Sequence, residues 1–265
     1  MKVGIVGLGV VGTAVRDGFV KVGHEVIPHD IKLHTELSDV MDTKICYICV
    51  PTNSSDDGSC NISVVEEVVK NLRDLKYEGI VAIKSTVEPG TTERLRTETG
   101  LNLCFVPEFL RERCATDDFI NHNSLLLVGT NSEENWELIK ESHGNLPTHK
   151  IKSTVIEAEL IKYFSNTYKA MRVVFANTFY KICQELDANY DVVKDSFLLH
   201  GIQEGHYLNV NKEFGGFGGM CLPKDTRAMK YLVEKLGLDL KLFETILDEN
   251  DKFVAKVPEG MRKEI

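Results

Sequence analysis

The chain has 265 residues, of which 43% are apolar and 27% charged, and a net charge of −9 from 31 Lys plus Arg against 40 Asp plus Glu. That length fits one large domain or two ordinary ones with a sizeable core. An acidic chain without a basic stripe is a poor partner for nucleic acid or an anionic membrane, and no apolar run approaches the roughly 18–20 residues that span a bilayer.

The N-terminal apolar run is interrupted by glycines and followed by Arg16 and Asp17, which argues against a signal peptide. The 7 Cys are an odd number scattered through apparent strands and helices, and they read as reduced thiols in a cytoplasmic protein. In chain order, residues 2–6 predict a strand and 10–22 a helix. Further strands are expected over 25–27, 45–50, 80–84, 101–106 and 125–128, with helices over 63–72 and within 88–99. Such alternation of helices with near-continuous apolar strands implies an α/β fold whose parallel sheet is covered on both faces.

After about residue 130 the pattern changes. Residues 153–185 contain neither Pro nor Gly and repeat apolar side chains at helical spacing. They predict one helix about 50 Å long at 1.5 Å per residue. One side of so long a helix lacks covering partners in a chain this short, which predicts a homodimer. Shorter helices are expected near 190–199, 223–236 and 239–256, with a Gly-containing loop over 201–220.

Gly7-Leu8-Gly9-Val10-Val11-Gly12 follows a strand and opens a helix. The first glycine permits a tight turn, the second admits a pyrophosphate close to the backbone, and the third lets helix and strand pack closely. The helix N-terminus then offers free N–H groups to the phosphates. Asp30 follows the third glycine by 18 residues; an acid there accepts from the ribose hydroxyls and repels a 2′-phosphate, so NAD is expected over NADP. The competing reading is a packing turn with a solvated Asp. Cys46 and Cys49 have CxxC spacing, but in a strand they point to opposite faces. They are expected to be buried structural thiols, and no metal site is expected.

The chemistry is expected around Phe217–Asp225, where glycines precede Cys221 and Pro223 suits the first turn of a helix. A thiol at a helix N-terminus near Lys224 is favoured as thiolate, the nucleophilic form; the alternative is a structural Cys at a bend. Lys162 and Asn166 lie four apart on the long helix and share a face, as an oxyanion donor pair or as ordinary surface residues. Glu108 and Glu112 follow a strand, where they could deprotonate water or pair with Arg111 or Arg113. Thr86 ends another strand, as a water- or nicotinamide-holding residue or an N-cap.

Gly7–Gly12, Val50-Pro51-Thr52, Lys84–Thr92, Pro107–Glu112, Glu159–Tyr163 with Asn166, and Gly216–Asp225 together resemble the UDP-glucose/GDP-mannose dehydrogenase family in order and spacing. The resemblance implies a Rossmann-type NAD-binding domain over 1–150 and an all-helical dimerisation domain over 151–265 that carries the catalytic Cys. It implies NAD held by Gly7, Gly9, Val10, Val11, Gly12, Asp30, Val50, Pro51, Thr52, Ser85 and Thr86. It further implies a four-electron oxidation of a nucleotide-sugar C6 alcohol to a carboxylate, with UDP-glucose the expected substrate. In that scheme Cys221 forms a thiohemiacetal and then a thioester, and Lys162 and Asn166 steady the oxyanion. Asp225 organises Lys162 and water, Thr86 and Glu112 position water, and Glu108 is a second candidate base. Two alternatives remain: a two-electron hydroxyacid-type dehydrogenase, and an inactive NAD-binding partner protein.

The sequence departs from the family in three places. The family's third domain, which grips the nucleotide, would lie beyond residue 265; the chain is expected to be a natural short form, the alternative being a truncated chain. Gly201 stands where the family usually has an Arg for the substrate phosphate, with Lys212 a looser substitute. Arg113 stands where Gly is common.

Overall fold

The computed structural model describes residues 1–199, 207, 210 and 215–253. Gly201 and Lys212 therefore lie outside the described residues, as do most of the expected loop before the glycine segment and the end of the expected helix over 239–256. The described chain forms two compact units. The first takes Met1–Asn53 and Cys60–Lys162; the second takes Ser54–Ser59 and the described residues from Tyr163 on.

The first unit is built on a 7-stranded sheet of order β2-β1-β3-β4-β5-β6-β7. The strands are β1 (Lys2–Val6), β2 (Glu25–His29), β3 (Ile45–Ile48), β4 (Ile80–Ile83), β5 (Leu103–Phe105), β6 (Leu125–Gly129) and β7 (His149–Ser153). Its helices are α1 (Val10–Val22), α2 (Ser63–Asp74), α3 (Thr91–Thr99), α4 (Ala115–Asn121) and α5 (Glu133–His143), and α6 (Val155–Glu185) begins in it.

The first five strands run parallel, in the pairs β1–β2, β1–β3, β3–β4 and β4–β5. β6 meets β5 antiparallel through the single pair Phe105↔Gly129, and β7 follows β6 in parallel. The expected parallel sheet is thus present as five parallel strands, to which a reversed pair is added at one side. The reversal is compatible with local apolar pattern because both directions bury the same alternating faces. β7 was not expected. Its residues alternate Lys with His and Ile and are mostly exposed, so it carries no buried apolar run.

Both faces of the sheet are covered. Cys46 and Ile48 pack into one apolar cluster with Val65, Val69 and Leu72 of α2. Ile45, Tyr47 and Cys49 pack into the other with Val15 and Phe19 of α1. The two thiols of the CxxC spacing therefore sit in separate cores. Burial pushes Cys49 up to about 12 and Cys46 higher still, so both stay as inert thiols. Burying each such aliphatic side chain stabilises the fold by roughly 1.5–3 kcal/mol.

In the second unit, α6 continues to Glu185, followed by α7 (Tyr190–Leu199), α8 (Leu222–Lys235) and α9 (Leu242–Asp251). The unbroken apolar periodicity expected over 153–185 is realised as a single 31-residue helix. Ala170 of α6, Phe217 and Ile246 of α9 form a small core, with Leu222 of α8 packed against it. Among the described residues no helix is long and apolar enough to cross a membrane.

Candidate active site

The order of the parallel strands reverses between β1 and β3, which is where open α/β sheets take ligands. The glycine turn lies there. Gly7 has φ +90°, and a Cβ on it would come within 2.8 Å of the Cys49 carbonyl oxygen. A Cβ on Gly12 would lie 1.8 Å from the Gly7 carbonyl oxygen, so only glycine closes the turn against α1. Gly9, the N-cap of α1, has open space at its Cβ position. These are the three distinct requirements of a pyrophosphate turn, each met by the glycine that needs to meet it.

Asp30 is fixed beside this turn. Its Oδ2 accepts from the Leu8 N–H at 2.7 Å and its Oδ1 from the Lys32 N–H at 2.9 Å. The Leu8 and Lys32 N–H groups hold its carboxyl below the usual range, so it is an anion with a lone pair to spare on each oxygen. The end of β3 is tied to the end of β4 by Ser85, whose Oγ donates to the Val50 carbonyl at 2.7 Å. Thr52 is buried nearby in sequence, whereas Val10, Val11 and Val50 are half-buried and Pro51 is exposed.

Three ionisable side chains meet at the carboxyl ends of β4 and β5. Lys84 is buried and donates to the Val106 carbonyl at 3.1 Å. Lys162 of α6 donates to the carbonyl of Glu108, two residues after Val106, at 2.7 Å and to Glu108 Oε1 at 2.9 Å. Glu108 Oε2 accepts from the Leu110 N–H at 2.7 Å. Burial works to raise the Glu108 carboxyl, but the Lys162 ammonium, these hydrogen bonds and Lys84 outweigh it and hold it below its ordinary value. Burial lowers Lys84. Of the alternatives open to the two carboxylates, Glu108 takes Lys162, while Arg111 takes Asp118 in a bidentate pair. Glu112 opens a 3-10 turn, Glu112–Cys114, and is half-buried.

Thr86 is half-buried, and its carbonyl accepts from the Cys60 thiol at 3.4 Å. It is not an N-cap: α3 starts at Thr91 behind Gly90. The N-terminus of α3 is capped instead by Glu159 of α6, which accepts from Gly90 N–H at 2.6 Å and Thr92 N–H at 2.9 Å. Glu159 is fully buried, and burial pushes its carboxyl up. Sequence reasoning passed over this cap. The signal was available, since Glu159 precedes Lys162 by one helical turn and so shares its buried face.

The second unit holds the thiol. Cys221 is the N-cap of α8, with Pro223 in the first turn, and it is exposed. One turn inside, the Asp225 N–H donates to the Cys221 carbonyl at 2.9 Å. Asp225 is fully buried and accepts from Lys224 Nζ at 2.7 Å and from Asn166 Nδ2 at 2.5 Å. A carboxylate only accepts, so this contact sets which way the Asn166 amide faces. Sequence reasoning assigned Asp225 to Lys162; it did not foresee the Asn166–Asp225–Lys224 link or the Lys162–Glu108 pair.

A turn of this geometry at the switch point, with an anchored acid at the end of β2, defines an NAD-binding α/β unit. Residues 31–146 match the NAD binding domain of the UDP-glucose/GDP-mannose dehydrogenase family, and residues 156–252 match its central domain. The chain belongs to the UDP-glucose/GDP-mannose dehydrogenase family. The family match begins after the glycine turn, so Gly7–Gly12 stands on its own geometry.

Among its relatives is a UDP-glucose 6-dehydrogenase of Haloferax volcanii, 27% identical over 95% of this chain and 70% of that protein. Another is a UDP-glucose 6-dehydrogenase of Rickettsia prowazekii, 30% identical over 80% of this chain and 51% of that protein. A solved UDP-glucose dehydrogenase from Pyrobaculum islandicum superposes with a TM-score of 0.86 at 27% identity, covering 95% of this chain and 68% of that one. The chain thus spans between about half and 70% of the length of the relatives it matches.

Proposed function

We propose that this chain carries out the NAD-dependent four-electron oxidation of a nucleotide-sugar C6 alcohol to the carboxylate, with UDP-glucose as substrate. The observation that carries the reading is Cys221 at the N-terminus of α8, exposed, one turn from a buried carboxylate that is already paired with Lys224 and Asn166.

Gly7, Gly9, Val10, Val11, Gly12 and Asp30 would hold the dinucleotide, with Val50, Pro51, Thr52, Ser85 and Thr86 toward its other half. Two molecules of NAD, bound in turn, would each accept one hydride, one per oxidation. Cys221 adds as thiolate to the aldehyde carbon, forming the S–C bond of a thiohemiacetal. Lys162 and the second N–H of Asn166 donate to the oxygen as charge develops on it. After the second oxidation the carbon is a thioester; water adds to it and the C–S bond breaks, returning the thiol and releasing the carboxylate. Glu108, held as an anion by Lys162, would take the proton of that water, with Thr86 and Glu112 as water-positioning residues. Asp225 acts on Asn166, which it orients.

The reading extends to a homodimer in the cytoplasm. Phe164, Tyr168, Phe175, Phe179 and Ile182 recur at helical spacing along α6, and each is at least 40% exposed. An apolar stripe of that length on one helix fits a second copy.

Cys221→Ser tests the mechanism. Expected are unchanged NAD binding and no carboxylate; carboxylate at the wild-type rate overturns the covalent route. Counting NADH per UDP-glucose separates the readings further, since two supports four-electron chemistry and one supports a hydroxyacid-type dehydrogenase. An absence of turnover with any sugar nucleotide supports an inactive NAD-binding protein.

A further inference from the structure

The segment that delivers Cys221 is rich in glycine. Between Gly216 and Cys221 the residues are Phe217, Gly218, Gly219 and Met220. Gly218 and Gly219 have open space at their Cβ positions, and Gly219 has φ +79°. Glycine has the widest backbone freedom of any residue, so a chain of this composition samples many conformations unless something external pins it. Phe217 anchors it, buried with Ala170 and Ile246.

The pin is Asn250, in the last turn of α9. Its Oδ1 accepts from the Phe217 N–H at 2.6 Å, and its Nδ2 donates to the Phe217 carbonyl at 3.1 Å. One planar carboxamide thus satisfies both main-chain polar groups of the residue, as a neighbouring strand would. Asn250 is only 7% exposed, so these bonds are made away from competing water. The fit extends to the preceding residue: a Cβ on Gly216 would lie 2.2 Å from Asn250 Oδ1. Gly216 is therefore required by the carboxamide, and Asn250 and Gly216 form one packing unit.

We infer that Asn250 is a positioning residue for the Cys221 thiol: it fixes the glycine segment from α9 and so sets where α8 presents its N-terminal sulfur. The inference rests on the reading of Cys221 as nucleophile and deepens it. Asn250 touches no reacting atom; it acts through the Phe217 backbone.

Three variants test it. Asn250→Asp keeps volume and the acceptor but turns the second arm into an oxygen facing the Phe217 carbonyl. Asn250→Leu removes both arms. Gly216→Ala leaves Asn250 intact and pushes the segment away from it. Thermal unfolding and NAD titration are measured first, and then iodoacetamide labelling of Cys221 by peptide mass spectrometry, with half-buried Cys114 as internal reference. Turnover is followed with UDP-glucose.

Expected are NAD affinity within about twofold of wild type, because the glycine turn belongs to the other unit, and unchanged labelling of Cys114. The Cys221 labelling rate shifts several-fold in every folded variant, and kcat falls about 100-fold, the scale for a misplacement of about 1 Å. A folded Asn250→Asp or Gly216→Ala protein with wild-type labelling and turnover overturns the inference. If Asn250→Leu does not fold, the other two variants decide. Failure of the underlying reading shows separately, as carboxylate formation by Cys221→Ser; the labelling rate still reports whether Asn250 controls the thiol.

Discussion

Lys162 grips Glu108 twice, through the backbone carbonyl and through the carboxylate, with one ammonium group. Both side chains are nearly excluded from water, at 4% and 10% exposure. Removing one partner of such a pair strands the other. Lys162→Met is expected to cost about 3–5 kcal/mol in urea unfolding, and Lys162→Met with Glu108→Gln together much less than the sum of the two singles. The same change raises the Glu108 carboxyl, since the ammonium is the largest of the contributions that oppose its burial. A loss below about 1 kcal/mol in the single variant refutes the dependence.

The glycine turn separates binding from folding. Gly9→Ala adds a methyl to open space, so its unfolding free energy should stay within about 0.5 kcal/mol of wild type while NAD affinity drops, because the methyl meets the pyrophosphate. Gly12→Ala meets the Gly7 carbonyl and should lower stability and affinity together. Isothermal titration and thermal unfolding of the two proteins check this; equal NAD affinity in Gly9→Ala and wild type refutes the placement of the phosphates.

His143 gives the first unit an acid-sensitive core. It is packed against the rings of Phe19, Tyr47 and Phe119, and burial lowers its imidazole from 6.5 to about 3. The folded protein keeps the ring neutral, whereas the unfolded chain protonates it below 6.5. The stability it contributes is therefore full above pH 6.5 and is lost as pH falls toward the folded value. The expected slope reaches about 1.4 kcal/mol per pH unit. Denaturant unfolding at several pH values should show a shallower acid slope in His143→Gln than in wild type; parallel slopes contradict the assignment.

If the α6 stripe meets a second copy, a charge on it should break the contact. Phe175→Glu, at a side chain 53% exposed, is expected to shift the sedimentation of the protein from dimer to monomer without lowering its melting temperature as a monomer. A monomeric wild type in sedimentation velocity at micromolar concentration removes the dimer.

Local pattern foretold much of this architecture. α1 covers the predicted residues because Val10–Val22 carries a clear apolar period, and Gly23, at φ 95°, ends it. α6 was legible for the same reason. The glycine turn was legible because each glycine answers a separate steric demand. What pattern did not convey is pairing across long sequence separation. Glu108 and Lys162 lie 54 residues apart, and Asn250 and Phe217 lie 33 apart. Nothing near any of them in sequence names its partner. The reversed strands escaped because an apolar run has no direction, and β7 because its edge position leaves it mostly solvated.

The sheet ends at β2 and β7, and each rim is closed to newcomers by a different device. On β2 the His29 carbonyl bonds inward to the Gly7 N–H. In a parallel ladder the adjoining residue then faces outward, and that residue is Pro28, which has no hydrogen to offer. On β7 the rim carries Lys150 and Lys152, whose ammonium groups are tied to the Gly144 carbonyl and to Glu133. Recruitment of a foreign strand, the first event in amyloid-like growth, thus meets a missing donor on one flank and paired cations on the other.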